Sequence, residues 1–277
     1  MDTEQIMAVA LEMSGLSEIP TDSGIWRPGK DIRRILLGLD IGTAELYIAQ
    51  QQGFDLALAH HPPESTLYAW RCYLRHVEQL VAAGVPRAQA EALVAKVTDG
   101  MQMGAHARNV DHTVSVAGLL GMPFMNIHTP LDEIGRRRMQ TCADELLCRK
   151  PDATVGDVLA ALLAFDEVCS APLPPLIAAG SPDRPAGRVI VAHGALDIPD
   201  YAMLTAYFDR GYGTAIVLRV TQQDKVRLQE DGRNLIVTGH NAGDSLGIFP
   251  FVTALRERGL EVTTFSGILP KIHEKGA

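Results

Sequence analysis

The sequence predicts an α/β protein built from two duplicated α/β halves, residues 1–150 and 151–277, and three observations carry that expectation. Residues 34–60 run apolar strand, helical segment, apolar strand, the pattern of a β-α-β unit with parallel pairing and a right-handed crossover. Three more strand–helix alternations follow after residue 188. Each half also reads as a Thr-led helix, a linker rich in Gly or Pro with a strand, and then three β-α units, so the order of elements repeats where residue identity does not.

Thr3 leads the first helix, whose apolar Ile6, Val9, Ala10 and Met13 fall at helical spacing before Gly15 ends it. A short strand is expected near Trp26, Pro28 and Gly29. Residues 34–40 read as a buried strand, 43–51 as its helix and 55–60 as the next strand. A helical insertion spans about 64–120 in three pieces, 67–83, 87–100 and 110–120, with a break at Gly84 and Pro86. A lid or an oligomerisation element would suit it equally. A short strand at 122–127 then leads into a helix ending near Arg149. The second half opens with a helix at 154–165 and a linker carrying Pro172, Pro174 and Pro175. Strands at 188–192, 214–220 and 234–238 alternate with helices at 201–210, 222–230 and 244–258, and 261–265 reads as a closing strand.

Hydrophobic content of 47% with only 5% aromatic residues suits an Ala/Leu/Val-rich α/β core. A net charge of -8 argues against a nucleic-acid partner, which requires concentrated Lys and Arg. The basic run Arg136-Arg137-Arg138 reads as a solvated helix face. Cys72, Cys142, Cys148 and Cys169 have neither metal-binding nor disulfide spacing and fit reduced thiols of a cytoplasmic protein. No apolar run reaches the ~18 residues of a membrane span, and the acidic start with Asp2 and Glu4 is unlike a signal peptide.

Three segments carry the chemistry, each just past a strand end, where open α/β sheets hold their ligands. The first is DLALAHHPP, residues 55–63, in which His60 and His61 are followed by prolines that turn the chain out of the strand. The second, NIHTPLD, contains His128 and Asp132; Asp132 also reads as a simple cap of the following helix. The third, LIVTGHNAGDSLG, contains His240 and Asp244 four residues apart, a spacing that puts both on one helix face. Asp244 and Ser245 serve equally well as helix caps. His60, His61, Asp132, His240 and Asp244 together form a mixed imidazole–carboxylate set suited to Zn, Fe, Ni, Mn or Co. Five ligands exceed the needs of one catalytic ion and match two divalent ions sharing a carboxylate.

These three segments, in this order, resemble the signatures of the Nif-three-like family (NGG-interacting factor three-like, also called GTP cyclohydrolase I type 2). Residues 34–40 are similar to the family's first core strand, and the likeness spans most of the chain. The resemblance implies two intertwined halves with mixed four-stranded sheets, a dinuclear metal site in the cleft between them and a ring-shaped homohexamer. It assigns His60 and His61, Asp132, and His240 and Asp244 as metal ligands from the three segments in turn. The chain departs from many members in having aspartate rather than glutamate at 244, and in the length of its insertion.

The function expected from these features is that of a dinuclear metal-dependent hydrolase acting on a small molecule through a metal-bridging hydroxide, possessing GTP cyclohydrolase-like chemistry if the family's second name applies. No P-loop pattern is present. The competing expectation is a non-catalytic protein that stores or delivers metal, or a scaffold. Beyond the ligands, His128, Glu133, Glu64 and His193 are the candidate proton carriers. His193 also reads as a hydrogen-bonded loop residue, Asp40 as a cap or a support for a ligand, and His76 and His273 as surface residues. His106 and His112 would reach the cleft only if the insertion folded over it.

Overall fold

The computed structural model describes residues 1–269. The first half contains α1 (Thr3–Ser14), β1 (Gly24–Arg27), β2 (Arg34–Gly38), α2 (Thr43–Gln51) and β3 (Leu56–Ala59). The insertion follows as a 3-10 turn (Ala69–Leu74), α3 (Arg75–Ala82), α4 (Arg87–His106) and α5 (His112–Leu120), before β4 (Phe124–Asn126) and α6 (Thr129–Arg149). The second half contains α7 (Val155–Leu162), α8 (Asp166–Cys169), β5 (Leu176–Ala179), β6 (Arg188–Val191) and α9 (Tyr201–Phe208). It continues with β7 (Tyr212–Val217), α10 (Gln222–Glu230), β8 (Asn234–Val237), α11 (His240–Glu257) and β9 (Glu261–Phe265).

The duplication appears in the strand order: β1-β4-β3-β2 in one sheet and β5-β8-β7-β6 in the other. In each, the first strand is antiparallel at one edge and the remaining three are parallel. The first sheet has five strands rather than the four implied by the resemblance, because β9 pairs parallel to β2, from Arg34 against Glu261 to Gly38 against Phe265. β5, directly after the proline-rich linker, is the strand that the repeated order of the halves calls for, although its own residues gave no clear signal; Pro174 and Pro175 sit just outside it, where an edge strand tolerates them. α1 is capped by Asp2, which accepts from Gln5 N, rather than by Thr3.

Both sheets are covered on both faces, so their strands read as continuous apolar runs. In the first, Ile35, Leu37, Leu56 and Leu58 face Ile6 of α1 and Ile248 and Phe251 of α11, while Leu36 and Ala57 face Leu46 of α2 and Ala117 of α5. That alternation is the period-two geometry of a strand. The insertion packs mainly on the second half: Val77, Leu80 and Val94 join Met203, Leu204 and Tyr207 of α9 over Ala215 and Val217 of β7. Each half therefore lends the other an element, β9 in one direction and α3–α4 in the other.

α6 and α11 cross between the two sheets at a glycine contact. A Cβ on Gly135 would lie 3.1 Å from Gly247 N, and one on Gly247 would overlap the Leu131 carbonyl. Only glycine permits this approach. It sets Asp132 and Asp244, each close to the crossing, side by side.

Candidate metal centre

The candidate ligands meet at the carboxyl ends of parallel strands from both sheets. Beyond β3, His60 N bonds Gly38 O at 2.9 Å and His61 N bonds Leu39 O at 2.8 Å, which carries the chain to the rim with both side chains in one site. Each ring is then aimed through Nδ1. His60 Nδ1 donates to the Ile127 carbonyl at 3.0 Å, His61 Nδ1 lies 2.7 Å from Asp40 Oδ1, and His128 Nδ1 lies 2.8 Å from Asp22 Oδ2. Engaging Nδ1 fixes the ring and leaves Nε2 for the cleft, the support that metal-binding imidazoles characteristically have.

Gly239, at φ 81° and ψ 149°, lets the chain leave β8 and start α11 immediately on His240. The helix begins there rather than at Asp244, so the two side chains share a face and His240 Nε2 lies 3.3 Å from Asp244 Oδ2. His61 Nε2 is also 3.3 Å from Asp244 Oδ2 and 3.2 Å from His240 Nε2. On the other side His60 Nε2 is 3.2 Å from Asp132 Oδ1 and 3.7 Å from Asp244 Oδ2. Two groups thus have atoms close enough to hold an ion, His61–His240–Asp244 and His60–Asp132–Asp244, with Asp244 common to both; His60–His61–His128 forms a third.

The residues fit a cation on a test independent of these distances. Among the described residues His60 Nε2, Asp132 Oδ1 and His193 Nε2 are buried without a hydrogen-bond partner. Buried polar atoms seldom stay unpaired, because each costs ~1–3 kcal/mol. Both imidazole atoms lie within 3.5 Å of Asp132 Oδ1.

The electrostatics are those of carboxylates enclosed by imidazoles. Burial opposes charge on Asp132, but His128, His193 and His60 hold its carboxyl far below the usual range. Asp244 is lowered likewise, against burial, by His61 and His60. Burial alone would lower His128, yet Asp132 and Asp22 push it up to about 9. His61 is raised against burial by Asp244 and Asp40, whereas burial keeps the half-exposed His240 low.

His61, His128, Asp132, His193, His240 and Asp244 line a cleft of about 440 Å³, within the range of small-molecule sites. Trp70 and Met101 of the insertion form part of its wall, with Arg108 and Arg219 at exposed positions. Glu64 and Glu133, the carboxylates considered as proton carriers, are not among the lining residues. Glu64 accepts from Thr113 N and ties the insertion to itself. Glu133 is 3% exposed and bound by Arg75, Arg136 and Arg137, so the basic run that read as a solvated face is partly an internal counter-charge.

His128 and His193 do face the cleft, whereas His106 and His112 are exposed and outside it, although the insertion folds over the site. His76 is fully buried, not at the surface, and Nε2 donates to the Asp197 carbonyl at 2.9 Å; burial lowers its pKa to about 4. His273 lies outside the described residues. Asp22, which supports His128 and accepts from Thr129 Oγ1, gave no signal because it reaches the site through the antiparallel pairing of β1 with β4.

Fold and site together define a duplicated α/β protein with candidate imidazole–carboxylate metal-binding groups in its cleft. A NIF3 superfamily protein from Sphaerobacter thermophilus matches with 40% identity over 96% of this chain and 98% of its own, at a TM-score of 0.92. The chain belongs to the NIF3 superfamily. Two more distant structures share the fold. Reduced HcgD from Methanocaldococcus jannaschii is 12% identical over 95% of this chain and 97% of its own, with a TM-score of 0.58. TTHA1606 from Thermus thermophilus is 15% identical over the whole of both chains, with a TM-score of 0.52. A scan of family models and a search of curated proteins found no match. Among the described residues no helix is long and apolar enough to cross a membrane.

Proposed function

We propose that this protein binds two divalent metal ions, one at His61, His240 and Asp244 and one at His60, Asp132 and Asp244, and uses them to hydrolyse a small molecule. The observation that carries the reading is the aim of the rings: His60 and His61, each fixed through Nδ1, both present Nε2 to the buried Asp244 carboxylate, and His60 Nε2 also lies against Asp132. Divalent ions bound there supply a water that ionises near neutral pH and a charge that polarises a substrate oxygen. On this reading the substrate sits in the cleft and His128 holds or releases a proton, a role supported by its contact with Asp22 and its position in the cleft wall. A GTP-like substrate is the finer form of this reading, with Trp70 available to stack on a base and Arg108 and Arg219 near phosphate; Arg219 is already paired with Asp197 at 2.6 Å. Assembly into a homohexamer belongs to the same proposal and is tested by light scattering.

The metal-storage alternative draws support from one observation, the absence of both candidate glutamates from the cleft wall. Elemental analysis decides the first step. About two ions per chain are expected in the parent and a loss of at least one in His61→Ala and in Asp244→Ala. Unchanged content in both variants overturns the site. With two ions present, metal-dependent turnover in a screen of nucleotides and phosphoesters supports the hydrolase, and its absence the storage reading.

Metal uptake is also expected to release protons. Asp244 and Asp40 raise the His61 pKa above its ordinary 6.5 against burial in the metal-free chain, so the protonated ring must discharge when an ion enters, and affinity falls as pH drops through its pKa. Calorimetric titration in buffers of different ionisation enthalpy reads the proton count directly. Identical heats in all buffers would contradict it.

A further inference from the structure

The loop after β6, residues 193–198, is held from outside its own half. The insertion reaches across and occupies four of its carbonyls: Gln79 Nε2 donates to His193 O at 2.7 Å, Arg75 Nε to Gly194 O at 2.8 Å, His76 Nε2 to Asp197 O at 2.9 Å and Tyr73 Oη to Ile198 O at 2.9 Å. Arg75 is itself anchored on Glu133, the neighbour of Asp132. Within the loop Leu196 has φ 71°, a left-handed conformation that a leucine adopts only when its surroundings impose it. The loop is therefore kept in one conformation at a cost in local strain.

What that conformation delivers is the imidazole of His193. The residue is 7% exposed, its Nε2 has no hydrogen-bond partner among the described residues, and the atom points to Asp132 Oδ1 at 3.5 Å. Asp132 Oδ1 is likewise without a hydrogen-bond partner and has His60 Nε2 at 3.2 Å. Donor atoms that share an ion about 2.1 Å away stand roughly 3–3.5 Å apart at octahedral to tetrahedral angles, the spacing of each imidazole from Asp132 Oδ1; His193 stands outside the three groups whose atoms already converge, so an ion bound at Asp132 would draw it in.

We infer that His193 is a further protein ligand of the ion held by His60 and Asp132, and that residues 73–79 of the insertion act as the clamp that delivers it. This inference rests on the metal-centre reading above. It gives the insertion a task at the site, carried out through backbone carbonyls: the first half supplies the clamp, and the second half supplies the ligand.

The test is cobalt substitution, with Co²⁺ as the probe throughout. Full-length protein, His193→Ala, His193→Gln, Gln79→Leu and the double variant Gln79→Leu/His193→Ala are titrated with Co²⁺ while visible ligand-field bands and affinity are followed. Circular dichroism confirms folding. Loss of an imidazole ligand changes the position and intensity of the bands of one ion and weakens its binding about 10- to 100-fold, as does loss of its support to a smaller degree. Gln79→Leu is expected to weaken the same ion about threefold in the parent and to have no effect once His193 is gone, because the clamp acts only through that residue.

Parent-like bands in His193→Ala would overturn the ligand assignment even if affinity fell. An equal cost of Gln79→Leu with and without His193 would overturn the clamp. Failure of the parent to bind Co²⁺, or retention of both ions by Asp244→Ala, would instead remove the metal-centre reading and this inference with it. Should His193→Ala fail to fold, His193→Gln provides the same spectral readout, since an amide in place of imidazole still shifts the bands.

Discussion

Gly247→Ala will lower the melting temperature by roughly 6–12 °C, the consequence of about 3 kcal/mol of overpacking in a chain of this size, and will weaken metal binding about tenfold. The added methyl would overlap the Leu131 carbonyl at the α6–α11 crossing, where the obstacle is backbone and no rotamer change relieves it. The helices must move apart, and Asp132 follows Leu131 directly while Asp244 lies one turn before Gly247. Separation of the helices therefore separates the two carboxylates. Gly100→Ala is the control: it is exposed within α4 with nothing near its Cβ position, so alanine should stabilise by about 0.5–1 kcal/mol. Differential scanning calorimetry and metal titration measure both. An unchanged Gly247→Ala melting temperature with unchanged affinity would show that the close crossing does not set the site.

Glu133→Gln is expected to cost about 2–3 kcal/mol at pH 7, less than a fully buried pair would, because Arg75, Arg136 and Arg137 retain partial access to water. Burial raises the Glu133 carboxyl, but the three guanidiniums, Arg136 foremost, hold its pKa below the ordinary 4.5. A carboxylate with a depressed folded pKa contributes stability that is complete above 4.5 and fades as pH falls toward the folded value. The gap between parent and variant, measured by urea unfolding of the metal-free proteins, should be full at pH 7 and should narrow below pH 4.5. A gap independent of pH would mean that the charge of Glu133 is not what matters. The substitution should leave the number of bound ions unchanged, since Glu133 lies behind the cleft rather than in it.

The sequence was most informative where local chemistry and tertiary role coincide. The runs around Leu37 and Leu58 are apolar on both faces and could only be buried parallel strands, and His60, His61, His240 and Asp244 announce themselves by adjacency or helical spacing. Asp132 also lines the cleft, although its own segment taken alone was better explained by helix capping. The residues that support the site were harder to read because their partners are remote in the chain. Asp22 meets His128 106 positions away, and Gln79 meets His193 across 114. Glu133 looked like a proton carrier because its arginine partner Arg75 lies 58 residues upstream, and the flanking Arg136 and Arg137 read as solvated charge. The histidine wrongly placed at the surface, His76, faces a loop of the other half that no local pattern reveals.

The pairing of β9 with β2 has a consequence for how the chain is made. Arg34 and Glu261 stand 227 positions apart yet face each other along neighbouring strands. At translation rates of about 5–20 residues per second, the β2 edge waits roughly 10–45 s for its neighbour to emerge. Throughout that interval a nascent chain already holding most of its first sheet exposes an unsatisfied strand edge, open to pairing with other nascent chains on the same message. Completion of the first half is thus timed by the synthesis of the second.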